Sequence, residues 1–241
     1  GMTEQNLVNN NVSVLNGESS GMTSANLVLT DLTRNLPFDS YSFNFDGTSQ
    51  INFGNDSSFN FTGGMTVSGW VIGSVGSGTK KLILKDDLSS QRSWQINVRT
   101  SSSNFPTANV RSSGVAAQVV GTKTLLDNNW HHFALVFTPN TSLAFFIDGE
   151  EAGTLTSGIP ASIDVTTADV ILGFNQYNGK ASNFSIFDEA LTSTEVLKLY
   201  SNGMPQDLST FTPAPVAWWT LGSNSFFNGS NFICKDLIGS N

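Results

Sequence analysis

A chain of 241 residues with 39% apolar residues, eighteen Phe and five Trp among them, can build one large core and is short for two average domains. Eleven Lys and Arg against nineteen Asp and Glu give a net charge of −8, and the only adjacent basic pair is Lys80-Lys81, which argues against a nucleic-acid backbone or an anionic membrane as partner. The single cysteine, Cys234, excludes an internal disulfide and any multi-cysteine metal site, and no apolar run approaches the roughly 18 residues that a membrane span needs.

Residues 1–35 are polar, rich in Asn and weakly patterned, with short apolar pairs at Leu7-Val8, Val12/Val14 and Leu27/Leu29; they read as an extended arm with one or two short strands. Gly1 ahead of Met2 reads as a cloning remainder. The stretch T-E-Q-N-L-V-N-N-N that follows has neither a basic nor an apolar region, so no signal peptide is expected. Clear period-two alternation begins at Tyr41, Phe43 and Phe45 and turns at Asp46-Gly47 into Ile51/Phe53. It resumes with Met65, Val67, Gly69 and Val71 against Thr66, Ser68, Trp70 and Ile72, the signature of antiparallel strands. Further strands are predicted at 81–84, 94–99, 108–111 and 115–120, with loops at 86–92 and 101–106.

The sharpest pattern lies in residues 128–153. Two runs rich in β-branched and aromatic residues, 132–138 and 142–147, flank Pro139-Asn140-Thr141 and read as a hairpin; Asp148-Gly149 then reverses the chain into 150–155, giving a three-strand meander. One more strand is predicted at 169–174. Thr192-x-x-Glu195 is a capping box that opens a short helix near 192–202, with Val196, Leu197 and Tyr200 as its apolar side and Gly203 as its stop. In residues 204–241 the run P-V-A-W-W-T-L-G predicts a strand over 215–222, where Trp218-Trp219 must expose a ring unless something covers it. Residues 235–241 would continue naturally into 9–13. The two ends therefore read as halves of one element, closed within the chain or completing a neighbouring subunit.

Several of these stretches resemble one family. N-N-W-H-H-F-A-L-V-F-T…L-A-F-F-I-D-G-E-E-A-G is similar to the W-H-H-[VF]-A…[VL]-[YF]-[VI]-D-G segment of laminin-G-like, concanavalin A-type lectin domains. S-F-N-F-D-G-T-S-Q-I-N-F-G…F-N-F-T-G-G-M-T-V-S-G-W-V resembles the opening of those domains, and D-V-I-L-G-F their L-x-[IL]-G strand. G-K-A-S-N-F-S-I-F-D-E-A-L resembles their closing motif, with one departure: Ser182-Asn183 stand where an acidic pair usually falls. The tail run A-W-W-T-L-G resembles the first strand of such domains in phage structural proteins. The resemblance covers residues 38–203 and implies an all-β fold, an antiparallel two-sheet jelly-roll sandwich of concanavalin A-like type with one short helix. On that reading 1–35 is an arm, 36–203 the sandwich, and 204–241 a C-terminal segment whose 215–222 strand completes it.

Related sandwiches host β-glucanases, so carboxylate spacing is the first chemical test. A retaining glycosidase needs two carboxylates about 5–5.5 Å apart, which on one strand means acidic residues at alternate positions. Glu4, Glu18, Glu150, Glu151, Glu189 and Glu195 make no such pattern, and Asp148 and Glu150 straddle Gly149 in a predicted turn. His131 and His132, the only histidines, point to opposite faces of a strand and cannot grip one metal. Four Arg in the whole chain suggest no lyase site.

Calcium is the cofactor this composition admits, because loop carboxylates and amides are abundant. Resemblance to laminin-G and pentraxin relatives implies a rim site drawn from Asp86, Asp87, Asn175 and Gln176; the same residues also read as ordinary solvated turn and loop polars. For a sugar, Phe174 and Tyr177 share a predicted rim loop with Asn175, Asn178 and Lys180, which places aromatic rings beside amides. Trp70, Trp94 and Trp130 fall on strands and read first as core, with Trp94 kept as a further candidate for stacking on a sugar ring.

The expected function is a non-catalytic carbohydrate-recognition or adhesion module on a phage or particle surface, virion-borne or otherwise extracellular, that binds a glycan or cell-surface polysaccharide. A purely structural decoration or spacer protein assembling as a homo-oligomer is the alternative, and a glycoside hydrolase ranks third. Neither a nucleic-acid partner nor membrane insertion is expected.

Overall fold

Alternating apolar residues put one face of a strand against a core and the other face somewhere else, so each strand's register decides what the molecule can present. The computed structural model describes residues 16–29, 41–174 and 176–238. The segment expected as an arm supplies β1 (Gly17–Ser20) and β2 (Leu27–Leu29), and β3 (Tyr41–Asp46), β4 (Gln50–Asn52) and β5 (Met65–Ile72) follow. Next come β6 (Lys80–Asp86), β7 (Arg92–Arg99), β8 (Thr107–Ser112) and β9 (Val115–Val120), then the predicted meander as β10 (His131–Thr138), β11 (Ser142–Ile147) and β12 (Glu150–Leu155). The chain continues through β13 (Val170–Leu172), β14 (Asn178–Phe187), helix α1 (Ser193–Tyr200), β15 (Ala217–Trp219), β16 (Phe226–Phe227) and β17 (Phe232–Cys234).

The strands form two antiparallel sheets. One has nine strands in the order β16-β17-β1-β4-β13-β6-β7-β8-β9; the other runs β12-β11-β10-β5-β14-β3-β2, with β15 also paired to β14. Between them lies the main core, where Trp94, Ile96 and Val98 of β7 and Val110 of β8 belong to the same cluster as Val67 of β5, Leu135 of β10 and Ile186 of β14. Phe133 packs edge-on to Phe184 at 5.6 Å and stacks with Phe145 at 6.2 Å. A side chain at Gly69 would put its Cβ 2.8 Å from the Phe184 ring, so the glycine in β5 makes room for that phenylalanine.

A second, smaller core covers the outer face of the eight-stranded sheet. Ala134 and Val136 of β10, Phe146 of β11 and Phe187 of β14 meet Val196 and Leu199 of α1 together with Leu208 and Trp218. The capping box forms as predicted: Glu195 N donates to Thr192 Oγ1 at 3.3 Å, and Thr192 N donates to Glu195 Oε2 at 2.7 Å. The predicted apolar side needs one correction. Leu197 is 51% exposed and Leu199 is buried in its place, because Val196, Leu199 and Tyr200 share the i, i+3, i+4 face while Leu197 lies about 100° round the helix from Val196.

The tail closes on its own chain. β15 pairs with β14 so that Trp219, opposite Phe184, enters the main core and stacks on Phe53 at 3.9 Å, while Trp218 enters the outer one. Neither ring is left exposed. β17 pairs with β1, Gly17 opposite Cys234 and Glu18 opposite Ile233, and Phe232 meets the Phe43 ring at 4.8 Å. The ends do join in one sheet, although residues 9–13 and 239–241 of the predicted junction lie outside the described residues. The sandwich thus draws strands from both sides of the 36–203 span.

Phe232 is 3% exposed, and its truncation to Ala is expected to cost about 3–5 kcal/mol of stability, read as a lowered midpoint in urea unfolding. An unchanged midpoint would mean that β17 is not docked in solution.

Candidate functional site

The one α-helix among the described residues, with Leu208, Phe211, Trp218, Leu237 and Ile238, lies on the eight-stranded sheet, which leaves the outer face of the nine-stranded sheet as the broad strand surface facing away from both cores. With Trp94, Ile96 and Val98 turned inward, Gln95, Asn97 and Arg99 of β7 point outward; with Ala108 and Val110 inward, Thr107, Asn109 and Arg111 of β8 do the same. The pairing register lines these residues up across the strands. One row runs Asn52, Ile171, Leu84, Gln95, Asn109 and Gln118, each directly opposite the next. On its own strand spacing of about 4.8 Å the row is a ruler of amides interrupted by two aliphatic residues.

The hydrogen bonds of these polar groups are only partly made within the protein. Asn97 Nδ2 donates to Thr107 Oγ1 at 3.0 Å, but Asn97 Oδ1, Asn109 Oδ1 and Gln95 Oε1 are buried without a hydrogen-bond partner, as are Nε of Arg99 and Nε of Arg111. Exchanging the amide O and N atoms of Asn97 only moves the unpaired half to the nitrogen. Asn97 and Asn109 are 3% and 4% exposed, while Gln95, Arg111, Asn52 and Ile171 are half-buried and Gln118 is exposed, so the row has a reachable upper layer over an unsatisfied lower one. Each such buried group costs about 1–3 kcal/mol until something bonds to it.

The residues singled out from sequence divide between rim and core. Phe174 stays on the rim, half-buried with φ of 38°, and Lys81 Nζ sits 5.9 Å from its ring centroid. Asn178 is exposed in β14, and Asn175 lies outside the described residues. Tyr177 is a correction: its ring is fully buried beside Phe45, and its hydroxyl lies 3.0 and 2.8 Å from the carbonyl oxygens of Ile72 and Lys180, where it pins the start of β14 instead of meeting a ligand. Burial drives the Tyr177 phenol far above its ordinary value, which fits a permanent proton donor. Trp94 is a second correction. It is fully buried in the main core and presents no surface to a sugar.

Among the described residues of the calcium set the side-chain oxygens are engaged within the protein. The Asp86 side chain is wholly buried, faces Arg92 Nε with both oxygens at 3.1 and 3.0 Å, and also accepts Leu88 N at 2.6 Å. Asp87 Oδ1 accepts the Ser89 and Gln91 amides at 2.8 Å each, which makes it the organiser of its own turn. Gln176 Oε1 accepts from Lys81 Nζ at 3.2 Å. Oxygens already bonded to N–H donors, with two cations among them, do not fit a calcium ion. Among the described residues no three His, Cys, Asp or Glu side chains gather at a point.

The histidines point to opposite faces as predicted. His131 lies between two carboxylates, Nδ1 at 2.7 Å from Asp148 Oδ2 and Nε2 at 3.0 Å from Asp127 Oδ1, and only the imidazolium can donate to both. The bond to Asp148 raises its pKa above 6.5, with burial opposing. His132 is buried, 2.9 Å from Ser68 Oγ and packed against Trp70 and Tyr200, and burial lowers it to about 4. Asp148 occupies the left-handed turn position at φ 53° and accepts the His132 amide at 2.9 Å, so this constellation fastens the meander.

Sequence reasoning missed Gln95, Asn97, Asn109 and Arg111. The available signal was chemical: Asn is depleted in strands, yet Asn97 and Asn109 fall inside two predicted ones.

The family model described as the concanavalin A-like lectin/glucanases superfamily matches residues 45–197. No curated protein matches the sequence. Among solved structures the fold is similar to the binding domain of Paraclostridial Mosquitocidal Protein 1, at 17% identity and a TM-score of 0.59 over 73% of this chain and 46% of that one. It is similar to a candidate carbohydrate binding protein from Bacteroides ovatus, at 15% identity and a TM-score of 0.62 over 82% of this chain and 55% of that one. It is similar too to a botulinum neurotoxin type C structure concerned with cell entry through two ganglioside molecules, at 14% identity and a TM-score of 0.59 over 77% of this chain and 46% of that one. The chain spans about half the length of these structures.

Two outcomes follow from the side-chain geometry. His131 stabilises the fold fully below its unfolded pKa of about 6.5 and loses that contribution as pH rises through its raised folded value, whereas His132, depressed to about 4, weakens the fold as pH falls from about 6.5 towards 4. With only two histidines in the chain, thermal melts of His131→Gln are expected to show a larger Tm loss near pH 6 than near pH 9; equal losses would contradict the double ion pair. Because the Asp86, Asp87 and Gln176 oxygens are occupied, adding a calcium chelator is expected to leave Tm unchanged, and a drop of several degrees would restore the metal reading.

Proposed function

The chain belongs to the concanavalin A-like lectin/glucanases superfamily, and from that premise we propose that it is a non-catalytic glycan-binding module whose contact surface is the outer face of the nine-stranded sheet. One observation carries the reading: at the centre of a cross-strand row of amides the facing pair Gln95 and Asn109 have buried oxygens with no partner inside the protein. Sugar hydroxyls both donate and accept, so an oligosaccharide laid across the strands meets one polar side chain at nearly every strand. Ile171 offers its half-buried aliphatic surface to the C–H face of a ring. Phe174 stands at the rim near Lys81.

From Ile171 to Gln118 the row holds no carboxylate, whereas glycosidases bring two carboxyl groups to about 5–9.5 Å. The acids at its other end are engaged within the protein, Asp169 Oδ2 accepting from Asn52 Nδ2 at 2.8 Å and Glu18, opposite Asn52, accepting from Asn231 Nδ2 at 2.8 Å. Relatives named for binding carbohydrate or for dependence on gangliosides support a glycan as partner. The spacer alternative drew on a tail strand lent to a neighbour, and β17 pairs with β1 of the same chain instead. We place the module on a virion or other particle surface, in keeping with the resemblance of its A-W-W-T-L-G strand to phage structural proteins.

Gln95→Ala combined with Asn109→Ala is expected to reduce binding to the best glycan on an array by about tenfold or more, while Tm stays level or rises because unpaired buried amides are removed. Binding that survives the double substitution would move the site elsewhere.

A further inference from the structure

Charge is distributed unevenly along this chain. Six of the eleven Lys and Arg residues but only two of the nineteen Asp and Glu residues fall between Lys80 and Arg111, giving the β6–β8 ribbon a formal charge of +4 inside a protein of −8. Both of those acids are engaged, Asp86 by Arg92 and Asp87 by the amides of its turn. Lys80, Lys81, Arg99 and Arg111 have no carboxylate within 4 Å among the described residues, the ion pairs there being Arg92–Asp86, Lys123–Glu150 and those of His131.

The register places these cations around the amide row. Lys81 stands opposite Asn97 on one flank of the row, and Arg111, two residues beyond Asn109 on β8, stands on the other. Further along the first flank Lys80 is directly opposite Arg99, and both reach towards Gly76, whose carbonyl accepts from Arg99 Nη1 while a Cβ there would lie 3.5 Å from Lys80 Cε. Like charges placed opposite each other on a sheet repel, and Nε of Arg99, a residue 7% exposed, has no partner. Nε of Arg111 is also unpaired. Asp164, whose amide donates to the Arg111 carbonyl, uses Oδ1 to accept the Ser113 amide.

Resting on the glycan-binding reading, we propose that the ligand is an acidic glycan with carboxylates on more than one of its sugars, a polyuronate in chemical class. Its hydroxyls bond to the amides of the row and its carboxylates are met on the two flanks, by Arg111 on one side and by Lys81 with the Lys80/Arg99 pair on the other. A guanidinium matches a carboxylate in a two-bond fork, which supplies direction as well as charge. A neutral glycan leaves this excess positive charge uncompensated.

The test is an array of neutral, carboxylated and sulfated glycans probed with the full chain, followed by calorimetry with an oligogalacturonate and with the same oligosaccharide after its carboxylates are reduced to alcohols. Carboxylated glycans are expected to dominate the array, the acidic oligosaccharide to bind about tenfold or more tightly than its reduced form at low salt, and Arg111→Gln with Lys81→Gln to abolish that preference. Neutral or sulfated glycans dominating the array would overturn the inference and leave the glycan reading standing. No binding to any glycan would remove both. A preference that survives the double substitution, or inorganic polyphosphate bound as tightly as the uronate, would likewise overturn it.

Discussion

Two tryptophans in succession do most to fix how this molecule is layered. On β15 they point to opposite faces, so one short strand paired to β14 drives Trp219 into the main core and Trp218 into the outer one. The chain that follows is tied down by the same strand, with Leu237 N donating to Trp218 O at 2.8 Å and Asp236 Oδ1 accepting Trp218 N at 2.9 Å. A sandwich of two sheets has four faces. Three are consumed by hydrophobic contact here, and the fourth is left to carry whatever chemistry the fold performs.

Local electrostatics separates fastening from recognition. Charged groups that hold the fold together are matched: His131 with Asp127 and Asp148, Asp86 with Arg92, and Lys85, which donates to the carbonyls of Thr166 and Ala168 at 3.1 and 2.8 Å and to Asn55. Burial lowers the Lys85 pKa to about 8, which Asp169 only partly offsets. On the outer face of the nine-stranded sheet β7 and β8 leave groups unmatched in both senses, with the oxygens of Gln95, Asn97 and Asn109 lacking donors and Arg99 and Arg111 lacking anions among the described residues. Internal matching is what a structural network needs, so a surface that lacks it is better understood as half of an interface.

The sequence made the layers legible and the site only in part. Period two is enforced by the pleat, so Tyr41, Phe43, Phe45 and the 128–153 meander announced their strands, and the Thr192/Glu195 box announced the helix because its hydrogen bonds are local. Trp94 and Tyr177 misled for a common reason: an aromatic ring that serves a sugar and one that serves a core look alike until the register says which way it points. Asp86 and Asp87 misled because a carboxylate beside a turn reads as a free ligand, while its partner Arg92 is six residues away across a bulge. The amide row was hidden for a different reason. Gln95, Asn109 and Gln118 are separated along the chain and become neighbours only through strand pairing, and no linear motif records a register.

Pairing of β1 with β17 also sets how the module would behave under load. Gly17 lies opposite Cys234 in an antiparallel pair, so chain attached before β1 and chain attached after β17 leave from the same corner of the nine-stranded sheet. Pulling those two ends apart must first break the bonds of Asp236 and Leu237 to Trp218 and then opens that ladder one bond at a time, the weakest geometry a sheet can offer. Traction between one end and an object gripped at β7 and β8 is instead spread sideways through β4, β13 and β6, across about 25–30 Å of hydrogen-bonded strands. Such a build favours a hook hung from a single tether over a link in a chain.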